Sequence, residues 1–199
     1  MDKRGNGKRV SPGKDKVTRR GVSEKIIIAG AGGQGIMLLG KVLAEAAMRE
    51  GKNVTWIPSY GAEVRGGTAH CMVVISGSEI GSPYIYKADA LIIMNEPSLE
   101  KFKGRVRKGG LLIVNSSLVS AIKGIDKSVG LVKYPFSGLA ERLGNIKVAN
   151  MVALGAFISH KRTVDARSVA KVMRDIAPSS KKHLVKINQE ALSEGIRLK

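Results

Sequence analysis

Two glycine-rich stretches contain the residues whose types and spacing suit ligand recognition. The first is Gly-Ala-Gly-Gly-Gln-Gly at residues 30–35, which lies between an apolar run and a helical pattern. The helix N-terminus after such a turn presents free backbone N–H groups and a partial positive charge, which suit a phosphate or a carboxylate. The candidate residues of this glycine turn are Gly30, Gly32, Gly33, Gln34 and Gly35.

The Gly-x-Gly-x-x-Gly spacing of the glycine turn is also that of a dinucleotide-binding fingerprint. Such a site needs an Asp or Glu for the ribose at the end of the second strand, roughly 20 residues further on. Here that strand ends in Trp-Ile-Pro-Ser-Tyr at residues 56–60, with neither an acid nor the Arg of an NADP site. Three interpretations stay open: a nicotinamide or flavin site, glycines that serve only a tight turn, and recognition of an anion or a partner protein.

The second stretch is the 59–68 segment, Ser-Tyr-Gly-Ala-Glu-Val-Arg-Gly-Gly-Thr. Its glycines allow close approach of a ligand or another chain, and Glu63 and Arg65 place opposite charges two residues apart. Loops at the carboxyl ends of neighbouring strands meet over one crevice, so we expect this segment to face the glycine turn. A solvated loop with a weak ion pair is the alternative. Its candidate residues are Ser59, Tyr60, Gly61, Glu63, Arg65, Gly66, Gly67 and Thr68.

The remaining reactive residue types form no catalytic or metal-binding pattern. Cys71 is the single cysteine, which excludes an internal disulfide, a cysteine-ligated zinc site and an iron–sulfur cluster held by this chain alone, since a cluster needs about four thiolates. His70 and Cys71 alternate on a predicted strand and therefore cannot face one metal. His160 and His183 are isolated in the sequence. We predict no catalytic residue and no metal ligand in this chain.

Alternating strands and helices must position the two glycine-rich stretches. The uniformly apolar residues 25–29 predict a strand buried on both faces. Residues 36–50 predict an amphipathic helix that Gly51 ends in the left-handed conformation, and Asn95 is expected to cap a later helix. Further strands are predicted at residues 53–57 (ended by Pro58), 69–76, 90–94, 110–115 and 131–135, and helices at 97–106, 138–143, 150–159, 164–176 and 181–196. This order predicts an α/β layered domain whose largely parallel or mixed sheet is flanked by helices, with additional C-terminal helices.

The charge is high and unevenly distributed. The 199 residues include 34 Lys or Arg and 16 Asp or Glu, for a net charge of +18. We predict a basic, disordered arm at residues 1–24 and one domain at residues 25–199. Nucleic-acid binding is an alternative, but the few aromatic residues do not interleave with the basic runs, so base-stacking platforms are poorly supplied. No apolar run reaches the ~20 residues of a membrane span and no secretory signal is present, so we expect a cytoplasmic protein.

Four stretches together resemble the gamma subunit of 2-oxoacid:ferredoxin oxidoreductases, the relatives of pyruvate and 2-oxoglutarate synthase. They are the glycine turn, the 59–68 segment, Met-Asn-Glu-Pro-Ser-Leu-Glu-Lys-Phe at residues 94–102 and Asn-Met-Val-Ala-Leu-Gly-Ala at residues 150–156. The resemblance covers about residues 25–199. Residues 1–24 depart from it, because family members usually begin close to the first strand.

The resemblance implies a multisubunit enzyme that decarboxylates a 2-oxoacid on thiamine diphosphate, reduces ferredoxin through iron–sulfur clusters and forms acyl-coenzyme A. Partner subunits (alpha, beta and a delta or ferredoxin-like chain) are expected to hold the thiamine diphosphate, its magnesium and the clusters. This chain has one cysteine and lacks a Gly-Asp-Gly…Asn-Asn element, so it should be catalytically silent alone. Its length and the Gly-Ser-Pro at residues 81–83 favour the 2-oxoglutarate or branched-chain type.

Within such an enzyme, the glycine turn and the 59–68 segment are expected to meet the partner subunits near the entrance for coenzyme A. Arg65 would pair with a phosphate, a carboxylate or an acidic side chain of a partner. A free-standing NAD(P)- or flavin-dependent oxidoreductase is the alternative function.

Overall fold

The computed structural model describes residues 23–59 and 68–198. Within them the chain forms six strands and six α-helices in alternating layers. The strands are β1 (Ser23–Ala31), β2 (Asn53–Ser59), β3 (Thr68–Ser76), β4 (Ala88–Ile93), β5 (Val106–Asn115) and β6 (Gly130–Tyr134). The α-helices are α1 (Ile36–Arg49), α2 (Glu96–Phe102), α3 (Phe136–Arg142), α4 (Ala149–Lys161), α5 (Ala166–Asp175) and α6 (Val185–Arg197), and short 3₁₀ helices lie at Lys103–Arg105, Ile146–Val148 and Ser179–Leu184.

The six strands form one mixed sheet in the order β2-β3-β1-β4-β5-β6. Strands β1, β4, β5 and β6 pair in parallel, whereas β3 runs antiparallel to both of its neighbours, β1 and β2. Strand β2 therefore points in the same direction as β1. The predicted α/β layered architecture with C-terminal helices is confirmed, and β3 is the strand that makes the sheet mixed.

Strand β1 lies at the centre of the sheet because its apolar run suits burial on both faces. Ile26 and Ile28 pack on one face of the sheet, while Ile27 and Ala29 pack on the other, and all four are inaccessible to solvent. The first face, here called the helical face, packs against α1 and α4, and the same core extends into α3, α5 and α6. The second, here called the loop face, is covered by α2 and by loops at residues 77–87 and 116–129. The domain thus has two cores that share one sheet.

Some of the predicted ends of strands and helices are confirmed, and others differ from the prediction. Asn95 caps α2, since the backbone N–H of Ser98 donates to its Oδ1 at 3.2 Å, and Gly51 has the expected left-handed φ of 76°. Strand β1 begins at Ser23, two residues before the predicted start at residue 25. The prediction that Pro58 ends β2 is wrong, because β2 continues to Ser59; a proline is tolerated there since β2 is an edge strand.

Two helices, one in the middle of the chain and one at its C-terminal end, differ slightly from their predicted bounds. The helix expected at residues 97–106 ends at Phe102, and a 3₁₀ turn follows it. The helix expected at residues 181–196 opens as the 3₁₀ helix Ser179–Leu184 before α6 begins. Residues 1–22 of the predicted arm lie outside the described residues. In the described part of the chain, no helix is long and apolar enough to cross a membrane.

Candidate functional site

The predicted meeting point of the two glycine-rich stretches corresponds to one edge of the sheet. The glycine turn follows the carboxyl end of β1, and β2 ends at the same edge because β1 and β2 point in the same direction. The register pairs Ala31 of β1 with Thr68 at the start of β3, and Ser59 of β2 with His70. Thr68, one end of the 59–68 segment, is therefore next to the glycine turn, and Ser59, the other end, lies at the same sheet edge with β3 between it and the turn. The predicted residues Tyr60, Gly61, Glu63, Arg65, Gly66 and Gly67 lie outside the described residues.

Backbone conformation explains why glycines occupy two positions of the turn. Gly33 and Gly35 have φ values of 89° and 72°, in the region that side chains other than glycine rarely adopt. Gly35 is also the N-cap of α1 and supplies no side-chain hydrogen bond to the helix. The first turn of α1 contains no acidic residue. The partial positive charge of this helix end therefore has no acidic side chain to compensate it within the glycine turn or the first turn of α1.

The side-chain amide of Gln34 holds the glycine turn against the sheet through hydrogen bonds of both its oxygen and its nitrogen. Its Oε1 accepts a hydrogen bond from the backbone N–H of Ala31 at 2.7 Å, and its Nε2 donates to the carbonyl oxygen of Met94 at 3.4 Å. Gly30 leaves room for this arrangement, because a Cβ there would lie 2.6 Å from Gln34 Oε1 and 2.9 Å from Met94 Cβ. Two predicted site residues, Gln34 and Gly30, thus shape the turn itself.

A second contact to the turn comes from the start of α4, far away in sequence. Asn150 is 2% exposed, and its Nδ2 donates to the carbonyl oxygen of Gly35 at 3.1 Å. A Cβ on Gly35 would lie 2.3 Å from that nitrogen, so the contact requires glycine. Asn150 opens the 150–156 motif, but its role in holding the glycine turn was not predicted.

Asn115, at the end of β5, is a further positioning residue that sequence reasoning missed. It is fully buried, and its Nδ2 donates to Met94 O at 3.3 Å and to Ser137 Oγ at 2.9 Å. The carbonyl oxygen of Met94 therefore accepts hydrogen bonds from the side chains of both Gln34 and Asn115. An Asn that directly follows an apolar strand was the available signal, because such a side chain reaches the carboxyl edge of a parallel sheet.

Basic side chains lie beside the start of β3 on the loop face. Lys101 Nζ donates to Thr68 Oγ1 at 3.4 Å, and Arg105 stacks 5.9 Å from the ring centre of Phe102. The His70 ring lies 4.8 Å from the Phe102 ring. Burial, together with the charges of Lys101 and Arg105, lowers the pKa of His70 below its usual 6.5. This edge is therefore electropositive around a neutral histidine.

The groups that the described site could use for recognition are backbone N–H groups and basic side chains. Burial raises the pKa of the Cys71 thiol to about 12, so it is not a nucleophile near neutral pH. Among residues 23–59 and 68–198, no group of three or more His, Cys, Asp or Glu side chains is arranged to hold a metal ion. The site residues predicted here remain predictions as to what they bind.

Comparison with known proteins identifies the family. The model of the pyruvate ferredoxin/flavodoxin oxidoreductase family matches residues 25–198. The chain belongs to this family. The resemblance found in the sequence is confirmed, and it extends over almost all of the described residues.

Two curated relatives of this family are 36% identical to the chain. The match to the ketoisovalerate oxidoreductase subunit VorA of Methanothermobacter thermautotrophicus runs over 172 residues, 86% of this chain and 35% of VorA. The chain therefore spans about a third of VorA's length. The match to the 2-oxoglutarate synthase subunit KorC of Methanocaldococcus jannaschii runs over 157 residues, 78% of this chain and 84% of KorC.

Solved structures show the same fold. The gamma subunit of a keto/oxoacid ferredoxin oxidoreductase from Geobacter sulfurreducens superposes with a TM-score of 0.74 at 30% identity, covering 86% of this chain and 95% of that subunit. The 2-oxoglutarate:ferredoxin oxidoreductase of Magnetococcus marinus, with 2-oxoglutarate, coenzyme A and succinyl-CoA bound, gives a TM-score of 0.81 at 25% identity, covering 88% of this chain and 31% of that chain.

The dinucleotide-binding alternative does not hold. In a Rossmann domain, the second strand lies beside the first and brings its ribose-binding acid to the glycine loop. Here the antiparallel strand β3 lies between β1 and β2, so the end of β2 is displaced by one strand from the glycine turn. The family match and this strand order both favour a subunit of this family over a free-standing NAD(P)- or flavin-dependent oxidoreductase. A tight turn alone, and recognition of an anion or a partner protein, stay as the two predictions for the glycine turn.

Proposed function

We propose that this chain is the non-catalytic gamma subunit of a 2-oxoacid:ferredoxin oxidoreductase, with the glycine turn and the 59–68 segment on the side that meets partner subunits and coenzyme A. The observation that carries the proposal is the shared sheet edge: the 59–68 segment begins and ends at the edge that carries the glycine turn, and Thr68 pairs directly with Ala31 of that turn. That turn is held rigidly by Gln34 and Asn150 in front of an uncompensated helix N-terminus.

The electrostatics of this edge support an anionic ligand or an acidic partner surface. The chain carries a net charge of +18, and Lys101 and Arg105 lie next to the start of β3. Phosphates of coenzyme A and carboxylates of a partner are the groups that such an edge attracts. The M. marinus relative has coenzyme A bound, which supports the first of these.

The cofactors of the reaction belong, in this proposal, to other subunits. Thiamine diphosphate, magnesium and the iron–sulfur clusters would be held by alpha, beta and delta or ferredoxin-like chains, and ferredoxin would receive the electrons from them. The single cysteine, Cys71, is buried, and it cannot supply the roughly four thiolates of a cluster. The similarity to VorA and KorC favours a branched-chain 2-oxoacid or 2-oxoglutarate as the substrate. We place the assembly in the cytoplasm.

Arg65→Ala in the assembled enzyme tests the proposal. We expect the variant to raise the apparent KM for coenzyme A or to weaken the association of the subunits, because one charged contact is removed from the proposed contact side. Arg167→Ala is the matched control, since the Arg167 side chain is 96% exposed at the start of α5. Steady-state kinetics with coenzyme A as the varied substrate, together with analytical ultracentrifugation, provide the two readouts.

Two results would overturn this assignment. One is an Arg65→Ala enzyme whose KM and assembly both equal those of the Arg167→Ala control, which would exclude the contact role of the 59–68 segment. The other is turnover of a 2-oxoacid by the purified chain alone, or a brown colour in that preparation, which would place the redox chemistry in this chain. Identification of the companion polypeptides in the native assembly checks the partner set directly.

A further inference from the structure

The loop at residues 77–87 presents two tyrosines on an anchored backbone. Tyr84 and Tyr86 are 73% and 84% exposed, while Ile85 between them is 1% exposed and belongs to the core of the loop face. The loop connects the end of β3 with the start of β4. Ser76, the last residue of β3, pairs with Ser23 at the start of β1. The loop therefore begins at the sheet edge opposite the glycine turn.

Hydrogen bonds from basic side chains hold this loop in place. The Arg105 guanidinium donates to the carbonyl oxygens of Ile85 and Tyr86, and the second of these bonds, from Nε, is 3.3 Å long. Lys87 Nζ donates to the carbonyl oxygen of Gly104 at 2.5 Å. The two tyrosines are thus attached to a backbone that is fixed to the turn before β5. A partner that binds them has little of this backbone left to order, which lowers the entropy cost of association.

Three cations near the two tyrosines have no carboxylate partner among the described residues. They are Lys87, Lys101 and Arg105, and the last two lie 5.6 and 5.9 Å from the centre of the Phe102 ring. Their hydrogen bonds go to a hydroxyl and to backbone carbonyls, which are uncharged. The acidic residues of the same segments are already paired: Glu100 with Lys103, and Asp89 with Arg107. The tyrosine surface, defined as Tyr84, Tyr86, Lys87, Lys101 and Arg105, therefore carries uncompensated positive charge.

The N-terminal sequence adds positive charge at the same edge of the sheet. Strand β1 begins at Ser23, which pairs with Ser76 directly before the 77–87 loop. The residues that precede β1 are mostly basic where they are charged: Lys3, Arg4, Lys8, Arg9, Lys14, Lys16, Arg19 and Arg20, against Asp2 and Asp15. This basic sequence is therefore joined to the domain beside the beginning of the tyrosine loop.

An acidic protein surface is the partner that these features suit best. Tyrosine is enriched at the energetic centres of protein interfaces, because its ring buries a large area and its hydroxyl can form a hydrogen bond. Positive charge at the rim of such a surface speeds association with an acidic partner. Single-stranded nucleic acid instead needs a series of stacking platforms along a cationic groove. Two rings, with neighbouring cations that already bind backbone carbonyls, do not form such a series.

We propose that the tyrosine surface docks a carboxylate-rich segment of a companion subunit, and that the basic N-terminal residues steer its approach. This interface begins at the sheet edge opposite the glycine turn, so it is separate from the contact side of the function proposed above. It rests on that function only for the existence of companion subunits. Tyr84 and Tyr86 hold the bound partner, whereas Lys87 and the N-terminal cations accelerate association.

Surface plasmon resonance tests this interface, with the full chain immobilised and the companion subunits of the native assembly as analyte. Lys87→Glu should lower the association rate constant at least about fivefold in about 50 mM salt, because the reversed charge repels an acidic partner. In about 0.5 M salt, where the screening length is only a few Å, the difference should shrink below about twofold. Arg19→Gln combined with Arg20→Gln should lower the rate constant in the same salt-dependent way.

Two further variants control for the change of charge and for the fold. Lys171→Glu makes the same charge change on an exposed position of α5, on the helical face, and should alter the rate constant less than about twofold. Lys87→Gln also loses the hydrogen bond to Gly104 O but does not reverse the charge, so its effect should be smaller than that of Lys87→Glu. Urea denaturation of each variant verifies that the fold is retained.

Several outcomes would overturn this interface. One is association of Lys87→Glu at the rate of the Lys171→Glu control, and another is a deficit that persists unchanged at high salt. A third is tight binding of poly(U) RNA that Lys87→Glu weakens while the companion subunits still bind normally, which would assign the surface to nucleic acid. A slow Lys87→Glu variant beside a normal Arg65→Ala variant supports this interface and removes the contact role of the 59–68 segment. The reverse pattern removes this interface and leaves the proposed function intact, and a wild-type chain that binds no companion subunit contradicts both.

Discussion

The helical face and the loop face of the sheet are built in different ways from the same strands. Five helices contribute to the core on the helical face, and two of them, α4 and α6, meet backbone to backbone. The loop face has one seven-residue helix, α2, and two loops, and near it Tyr84 and Tyr86 are 73% and 84% exposed. Exposed aromatic side chains of this kind are enriched at protein interfaces. The difference teaches that several helices cover one face of the sheet, whereas a short helix and two loops cover the other and leave two tyrosines exposed.

The contact between α4 and α6 depends on two glycines. A Cβ on Gly155 would lie 2.2 Å from the carbonyl oxygen of Leu192, and one on Gly195 would lie 2.0 Å from that of Val152. Real side chains never reach such distances to a backbone atom, so any substitution must separate the helices. Tight packing of this kind is sensitive to added volume.

The largest expected effect is therefore that of Gly155→Leu on the helical face. We expect it to lower the free energy of unfolding by about 3–5 kcal/mol or to prevent folding, because α4 and α6 can no longer approach each other. Urea denaturation followed by circular dichroism measures the change. Gly104→Ala is the control, since a Cβ there meets nothing within 4 Å. Equal stabilities of the two variants would show that the α4–α6 contact is not a constraint.

The corresponding test of the loop face is Phe102→Ala. This ring is 2% exposed and contacts His70 at 4.8 Å between ring centres. Removal of a buried phenyl ring leaves a cavity and should lower the free energy of unfolding by about 3 kcal/mol. Phe102→Leu, which keeps most of the volume, should cost less than about 1.5 kcal/mol. A urea midpoint of Phe102→Ala equal to that of the wild type would show that this ring adds nothing to stability. The loop face would then have no core of its own, in contrast to the description given above.

The pH dependence of stability should separate the two faces. The pKa of His70, on the loop face, lies below its usual 6.5 because of burial and the charges of Lys101 and Arg105. As the pH falls below 6.5, His70 becomes protonated in the unfolded chain before it does so in the folded chain. The free energy of unfolding therefore decreases as the pH falls. On the helical face, a hydrogen bond from Arg49 lowers the pKa of Asp175 below its usual 3.8. That carboxylate stabilises the fold above this pH, and its contribution disappears only in stronger acid.

His70→Gln isolates the loop-face contribution. Between about pH 7 and pH 5 we expect the wild-type protein to lose more of its unfolding free energy than the variant, because only the wild type has the group whose protonation favours the unfolded chain. Urea midpoints at the two pH values provide the measurement. Asp175→Asn is the control: its loss of stability relative to wild type should be the same at both pH values. Parallel pH profiles for wild type and His70→Gln would contradict the assignment.

The smallest expected effect on stability is that of Tyr84→Ser combined with Tyr86→Ser. Both rings are largely exposed, so we expect the free energy of unfolding of the isolated chain to change by less than about 0.5 kcal/mol. In the proposed assembly, however, the double variant should dissociate faster, because exposed tyrosines contribute strongly where they are buried between chains. Denaturation and surface plasmon resonance with the companion subunits measure the two quantities. A large loss of stability without any change in dissociation would assign these rings to the fold.

The sequence by itself determined the local features of this protein. The apolar run of β1, the amphipathic pattern of α1, the Asn95 cap and the left-handed Gly51 were all predicted correctly, because each depends on the side chains of a few neighbouring residues. The alternation of elements was also enough to predict a layered α/β fold, and the glycine-rich motifs were enough to identify the family.

Only the tertiary structure decided how those elements are arranged and what surrounds the glycine turn. Local sequence does not encode that β3 lies between β1 and β2, since a strand pairs equally well with several neighbours until the whole sheet forms. The contacts of Asn150 with Gly35 and of Asn115 with Met94 join residues 115 and 21 positions apart. A cavity lined by residues of α1, α4, α5 and α6 forms where the ends of these helices meet in the folded chain, and Lys41, Lys147 and Lys181 contribute to its wall. These features follow from long-range packing, and a short stretch of sequence does not specify which distant residues will meet.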